Sequence, residues 1–146
     1  MAEESSNSIR VRFVTPERTL FDGDVTTVEL PSKSGYLQVL YGHAPLMAEL
    51  GAGDVTLHGG PDGPETLIRY NVSWGFAEVL PNRVTILAND ALKPEEIDVE
   101  RAKQQLEHGQ QLWNEAGESE AAYNEALRIE AEAEAKIASA SEKGTK

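Results

Sequence analysis

The sequence predicts an α+β protein, an N-terminal β-sandwich of about ten short strands followed by a C-terminal antiparallel two-helix hairpin. Three observations carry that reading. Up to residue 90 the chain is a series of short β-branched, alternating runs, punctuated about every ten residues by glycine and proline. No helix of useful length fits in that stretch. At Pro94 the pattern changes, and apolar residues recur at spacings of three and four. The domain division follows: residues 1–90 form the sandwich, ordered from about residue 8, and residues 91–146 form the hairpin, with its last residues frayed.

The first strand starts at Ser8. Ile9, Val11 and Phe13 share one face, and Arg10, Arg12 and Val14 the other, as expected of a strand with one buried side. Leu20 and Phe21 resume after Pro16, and Asp22-Gly23-Asp24 reads as a tight turn. Val25–Leu30 is strand-like and β-branched. Pro31–Ser34 is a loop, and Gly35–Leu40 the next strand. Gly42-His43-Ala44-Pro45 forms a corner, because glycine accepts unusual angles while proline fixes its own φ and restrains Ala44. Gly51–Asp54 reads as another turn, and His58–Pro64 as a loop. Short strands at Val55–Leu57, Thr66–Tyr70, Val72–Leu80 and Val84–Ala88 complete the sandwich, with Phe13, Phe21, Val28 and Leu87 read as core.

Pro94 suits the first turn of a helix, and Glu95, Glu96 and Asp98 favour the positive end of its dipole. The stripe Val99, Ala102, Leu106, Gly109, Trp113, Ala116 lies on one side of this helix. Gly109 costs up to about 1 kcal/mol in helix propensity, which points to a close approach by a partner helix. Gly117 ends the helix and Ser119 caps a second, whose stripe is Ala122, Ala126, Ile129, Ala133, Ile137, Ala140. An alanine stripe buries little apolar area per contact, so a hairpin that docks weakly is expected. Beyond Ala138 no pattern remains.

Bulk properties exclude several classes of function. The formal net charge is −12, which opposes nucleic acid and anionic lipid as partners. Residues 95–146 alone hold 13 acidic and 6 basic side chains. The absence of cysteine removes thiol chemistry and thiolate metal sites. No apolar run reaches the roughly 18 residues of a membrane span, and the polar, acidic start is unlike a targeting segment, so a soluble cytosolic protein without direct membrane insertion is expected. His43, His58 and His108 lie on separate elements without metal-ligand spacing. There is no phosphate loop, and Ser73 lacks the glycines of a nucleophile elbow. The reading is therefore no catalytic residue, no metal and no cofactor.

The corner Gly42-His43-Ala44-Pro45-Leu46 resembles the signature of the epsilon subunit of bacterial and chloroplast F-type ATP synthases, the delta subunit of mitochondria. Thr15–Val25, Val28–Ser32, Ser73–Val79 and Asn82–Ala88 are similar to further family motifs in the same order, so the likeness spans roughly residues 9–138. Gln38 stands where the family usually has glycine, and Trp74 replaces the first of a glycine pair.

This resemblance implies a non-catalytic rotor subunit that docks on the gamma subunit and the ring of c subunits and couples proton flow to ATP synthesis. It implies a peripheral location on the cytoplasmic face of the energy-transducing plasma membrane. The implied ring-facing edge comprises Ser32, Lys33, Ser34, Gly35, Tyr36 and His43. Ile97-Asp98-Val99-Glu100-Arg101-Ala102 is similar to a family motif that binds ATP as a regulatory ligand, through Ile97, Asp98, Arg101 and Ala102. Asp98 and Arg101 also read as an ordinary ion pair on one helix face, and the second helix offers few cations for a triphosphate. In relatives the helices can reach the alpha/beta catalytic hexamer and restrain ATP hydrolysis, whereas the negative charge of this tail opposes pairing with an acidic target. The alternative is a stand-alone β-sandwich binding module with a helical interaction tail, using Tyr36, Tyr41 and Trp74 as an aromatic platform.

Overall fold

The computed structural model describes residues 7–60 and 62–142. The chain forms two compact units, Met1–Ala91 and Leu92–Lys146. Among the described residues the first unit contains seven strands: β1 (Ile9–Val14), β2 (Thr19–Val25), β3 (Thr27–Ser32), β4 (Gly35–Leu40), β5 (Leu46–His58), β6 (Leu67–Leu80) and β7 (Arg83–Leu92). Their order in the sheet is β2-β1-β7-β6-β5-β3-β4. The β1–β2, β3–β4, β3–β5 and β5–β6 pairs are antiparallel, and β1 pairs with β7 in parallel.

A single link shows that this sheet is folded on itself. Only Thr26 separates β2 from β3, yet the two lie five places apart in the strand order. In a flat sheet that is about 24 Å, at roughly 4.8 Å per strand. Two chain steps reach only ~7 Å. The sheet must therefore bring its ends together, and the bends lie in β5 and β6. The first part of β5 (46–50) pairs with 75–79 of β6, and the later part (52–58) with 67–73 of β6, while 56–58 also pair with β3. One layer is thus β2-β1-β7 with the later half of β6 and the early half of β5. The other is the remaining halves with β3 and β4.

This arrangement keeps the sandwich class and corrects the strand count to seven. Gly51 and Gly53 do not turn the chain out of the sheet; both lie within β5, and at Gly53 a side chain has no room. A Cβ on Gly53 would lie 2.6 Å from the Tyr36 hydroxyl and 2.7 Å from Pro31 Cβ. On β6, Trp74 (φ 63) and Gly75 (φ 135) make the corresponding bend, where a Cβ on Gly75 would collide with the Leu87 carbonyl oxygen and approach Ala88 Cα to 2.9 Å. Asp22-Gly23-Asp24 is likewise strand and not turn. Gly23 pairs with Val11 and is buried, while its two aspartates face Arg10 from the outer side.

Alternation places Ile9, Val11 and Phe13 of β1 in one core with Val28, Leu30, Val39, Leu50, Val55 and Val72, all 0% exposed. The Phe13 ring meets Tyr70 edge-on at 5.4 Å. Phe21 packs partly buried against this core. Leu87 does not belong to it: Val84, Ile86 and Ala88 take the inward positions of β7, so Leu87 faces outward and is 50% exposed.

The second unit opens with a 3-10 turn, Pro94–Glu96, followed by α1 (Val99–Glu115) and α2 (Glu120–Glu142). The helix does not run on from Pro94, because Ile97 is extended (φ −77, ψ 127) and buried. Asp98 then caps α1. Gly117 at φ 59 ends α1, and the Ser119 hydroxyl accepts the Ala122 N–H at 3.2 Å, capping α2. Ala102 and Gly109 on α1, Ala116 at its C-cap, and Ala126, Ala133 and Ala140 on α2 are buried in a seven-residue repeat of small side chains, with Ser139 buried beside the last. Trp113 leaves the seam and stacks on Tyr123 at 4.2 Å beside the turn. The helix continues past Ala138 with Ser139 and Ala140 buried; residues 143–146, like 1–6, lie outside the described residues.

Two substitutions test these close approaches. Gly75→Ala meets both a forbidden φ and a backbone collision, so urea unfolding of the β unit should show a loss of about 2–4 kcal/mol. Gly109→Leu must displace Glu130 and Ile129, whose Cγ and Cγ2 would lie 2.8 and 3.2 Å from a Cβ there. It should lower hairpin stability by ~1–3 kcal/mol, read from the helical circular dichroism signal.

Candidate interaction sites

Five of the six expected ring-facing residues come together at the β3–β4 hairpin tip. Ser32 pairs with Gly35, leaving Lys33-Ser34 as a two-residue loop. The Ser32 hydroxyl donates to the Gly35 carbonyl at 2.5 Å and accepts the Ser34 N–H at 3.2 Å, which locks the loop from within. Lys33 is tied to the neighbouring strand. Its N–H donates to the Glu49 carbonyl at 2.9 Å, its Nζ lies 3.0 Å from Glu49 Oε2 and 5.6 Å from the centre of the Trp74 ring. Tyr36 is 68% exposed, yet its hydroxyl accepts the Asp54 N–H at 2.9 Å over the space left by Gly53. The tip is polar, exposed and held in shape.

His43 lies at the other end of the sandwich. β4 runs from the tip at Gly35 to Leu40, which pairs with Thr27 at the far end of β3. The corner is fixed there by Gly42 N–H to Pro81 O at 2.7 Å and His43 N–H to Leu40 O at 3.1 Å. The His43 Nδ1 is 2.7 Å from the Ala44 carbonyl, which can only accept, so Nδ1 carries the proton. The expected six-residue edge is therefore two sites. Around the corner the structure exposes residues that alternation alone would assign to strands and core: Leu40 (53%), Tyr41 (48%), Leu46 (40%) and Met47 (65%). Their signal in the sequence is the break in alternation on both sides of Gly42–Pro45. With Tyr41 here and Tyr36 and Trp74 at the opposite end, no single aromatic platform forms.

The helix motif is also divided. Ile97 and Ala102 are 7% and 2% exposed, committed to packing. The Asp98 carboxylate accepts the Arg101 N–H at 3.1 Å, so it caps α1 instead of pairing with the guanidinium. On α2, Arg128 sits between Glu125 (3.1 Å) and Glu132 (3.6 Å). Among the described residues, no group of three or more His, Asp or Glu side chains is placed to hold a metal ion.

With the sandwich, its glycine bends and the corner in place, comparison with known proteins is decisive. The profile of the "ATP synthase, Delta/Epsilon chain, beta-sandwich domain" matches residues 8–94. The ATP synthase epsilon chain of Solibacter usitatus is 42% identical over 138 residues, covering 94% of this chain and 98% of that protein. The chain belongs to the ATP synthase delta/epsilon family. The epsilon chain of Koribacter versatilis is 41% identical over 115 residues, 77% of this chain and 76% of its own length. In fold, the chain resembles one in the Euglena gracilis mitochondrial ATP synthase (OSCP/F1/c-ring), with a TM-score of 0.72 at 21% identity over 96% of this chain and 82% of the other. As a delta/epsilon family member it is a rotor-stalk subunit of an F-type ATP synthase, and catalysis belongs to the complex. Among the described residues, no helix is long and apolar enough to cross a membrane.

The capping role of Asp98 can be separated from any ligand role. Asp98→Ala should cost the helical unit about 1 kcal/mol and Asp98→Asn only a few tenths, because asparagine caps as well as aspartate. Urea melts of both variants check this, and equal losses would show that the cap is not what Asp98 contributes.

Proposed function

We propose that the two ends of the sandwich serve two partners, the hairpin tip meeting the c-subunit ring and the His43 corner meeting the gamma subunit. The observation that carries this reading is the contrast between the ends. Ser32, Lys33, Ser34, Gly35 and Tyr36 make a polar, internally bonded projection. His43 lies between two stretches with exposed apolar residues, Leu40 and Tyr41 before it and Leu46 and Met47 after it, which supply apolar area of the kind buried in lasting protein interfaces. An OSCP/F1/c-ring assembly of Euglena gracilis and a central stalk/c-ring assembly of Tetrahymena thermophila contain chains of similar fold, with TM-scores of 0.72 and 0.67, which supports the same setting. In that setting the chain sits peripherally on the cytoplasmic face of the plasma membrane and helps transmit rotation between proton flow and ATP synthesis.

The helical unit supplies regulation in this reading. Its surplus of acidic side chains opposes attraction to an acidic segment of the alpha/beta hexamer, so restraint of ATP hydrolysis is geometric and weak. Regulatory ATP would meet Arg101, the exposed cation of the motif, and the acidic face of α2 works against triphosphate there.

The tests use capture by purified gamma and assays of the assembled enzyme. Met47→Asp should weaken capture of the chain by purified gamma at least about tenfold, the loss typical of burying a charge in an interface core. Lys33→Glu should leave capture intact and reduce ATP-driven proton pumping. Capture unaffected by Met47→Asp would overturn the assignment of the corner. Deleting residues 92–146 should raise ATP hydrolysis less than about threefold, equivalent to under ~0.7 kcal/mol; a large activation would reject the weak restraint.

A further inference from the structure

The β unit concentrates its positive charge on one surface. Residues 1–91 contain six Lys and Arg side chains in all, and three of them, Arg10, Arg12 and Arg83, line an open groove of ≈ 520 Å³ on the outer side of β2, β1 and β7. Register explains how they meet. In the parallel β1–β7 pair, Arg10 is opposite Arg83, Arg12 opposite Thr85 and Val14 opposite Leu87. In the β1–β2 pair, Arg10 is opposite Asp24 and Arg12 opposite Asp22.

The charges here are incompletely matched. Arg10 takes both available carboxylates, lying 2.9 Å from Asp22 Oδ1 and 3.9 Å from Asp24 Oδ1. Asp22 also accepts from Arg10 Nε at 3.1 Å. Arg12 and Arg83 make no ion pair among the described residues, although the chain carries 25 acidic side chains. Like charges directly opposite on neighbouring strands are destabilising, and Arg83 beside Arg10 is such a pair. Along the same strands the groove becomes apolar, with half-buried Val14 and the 50% exposed Leu87. A basic end and an apolar end are thus separated by four residues of strand, about 13 Å at roughly 3.3 Å per residue.

We propose that this groove binds an extended acidic segment of a partner protein, seating carboxylates on Arg12 and Arg83 and an apolar side chain against Val14 and Leu87. The assignment does not depend on which ends of the sandwich meet the ring and the shaft. Charge complementarity identifies the occupant: planar guanidinium groups bind carboxylates in bidentate fashion, and the adjoining apolar floor has no use for a phosphate backbone.

The experiment titrates the full chain with the synthetic peptide Glu-Thr-Glu-Thr-Leu-Thr, whose alternate side chains match the groove, and follows amide chemical shifts. The expected result is perturbation centred on Arg12, Arg83 and Leu87, weakening from 50 to 200 mM salt. The Arg12→Glu/Arg83→Glu double variant should bind at least about tenfold more weakly, the scale of a lost charge-assisted contact. Should that variant unfold by circular dichroism, Arg83→Gln, at the exposed start of β7, should still weaken binding severalfold. Equal binding of a peptide with lysine in place of glutamate overturns the proposal. So do stronger shifts with a thymidine oligonucleotide, or perturbation confined to other surfaces.

Discussion

The passage of β5 and β6 from one layer of the sandwich to the other is the constraint on which the β unit depends. Each strand bends where backbone must approach backbone or a neighbouring ring more closely than a side chain permits. At Gly53 the excluded Cβ site is filled by Pro31 and Tyr36, and at Gly75 by the Leu87–Ala88 backbone. Because both bends are shared by the two layers, a change at either disturbs the pairing of β5 with β6 across the whole fold. The same approach shapes the surface. Gly53 provides the space in which the Tyr36 hydroxyl reaches the Asp54 N–H, so the stiffness of the hairpin tip follows from the bend beneath it.

Trp74 shows that constraint from the opposite side. Its φ of 63 lies in the region that glycine occupies readily and a bulky side chain seldom does. Such a conformation costs on the order of 1–3 kcal/mol and persists only where the surroundings enforce it. Here the ring gains the Lys33 ammonium at 5.6 Å, a contact worth about 0.5–1 kcal/mol at an exposed site. That contact offsets part of the strain and adds a further hold on the tip loop, which glycine could not provide.

The sequence made the strand faces and helix seams legible because burial follows period. Ile9, Val11 and Phe13 alternate as read, and Gly109 lies where the second helix comes close. Helix caps were legible in part. Ser119 behaves as its residue type indicates, whereas Asp98 captured a backbone N–H and moved the start of α1 beyond Pro94. The glycines misled for a physical reason: a glycine that ends a strand and one that lets a strand bend under a neighbour look alike without the neighbour. Gly53 is of the second kind, while Gly23 and Gly51 lie within strands without ending them. Leu87 misled because its type signals core while its parity on β7 directs it outward. The division of the expected ring-facing edge could not be read either, since Tyr36 and His43 are close in sequence and β4 lies almost entirely between them.

That division has a mechanical consequence. Strands transmit force along their length through rows of hydrogen bonds, and a core packed at interior density deforms little under load. The tip and the corner are joined by β4 and by the early half of β5, both paired to neighbouring strands and both anchored by fully buried residues, Val39 and Leu50. A displacement imposed at either end therefore reaches the other with little loss. The hairpin of helices is held differently. Its buried positions are mostly alanine and glycine, whose close fit gains dispersion contacts but removes little apolar surface from water. A β block packed with large side chains and a helical pair held through small ones are thus opposite outcomes of the same packing rule, set by the size of the side chains placed at the buried positions.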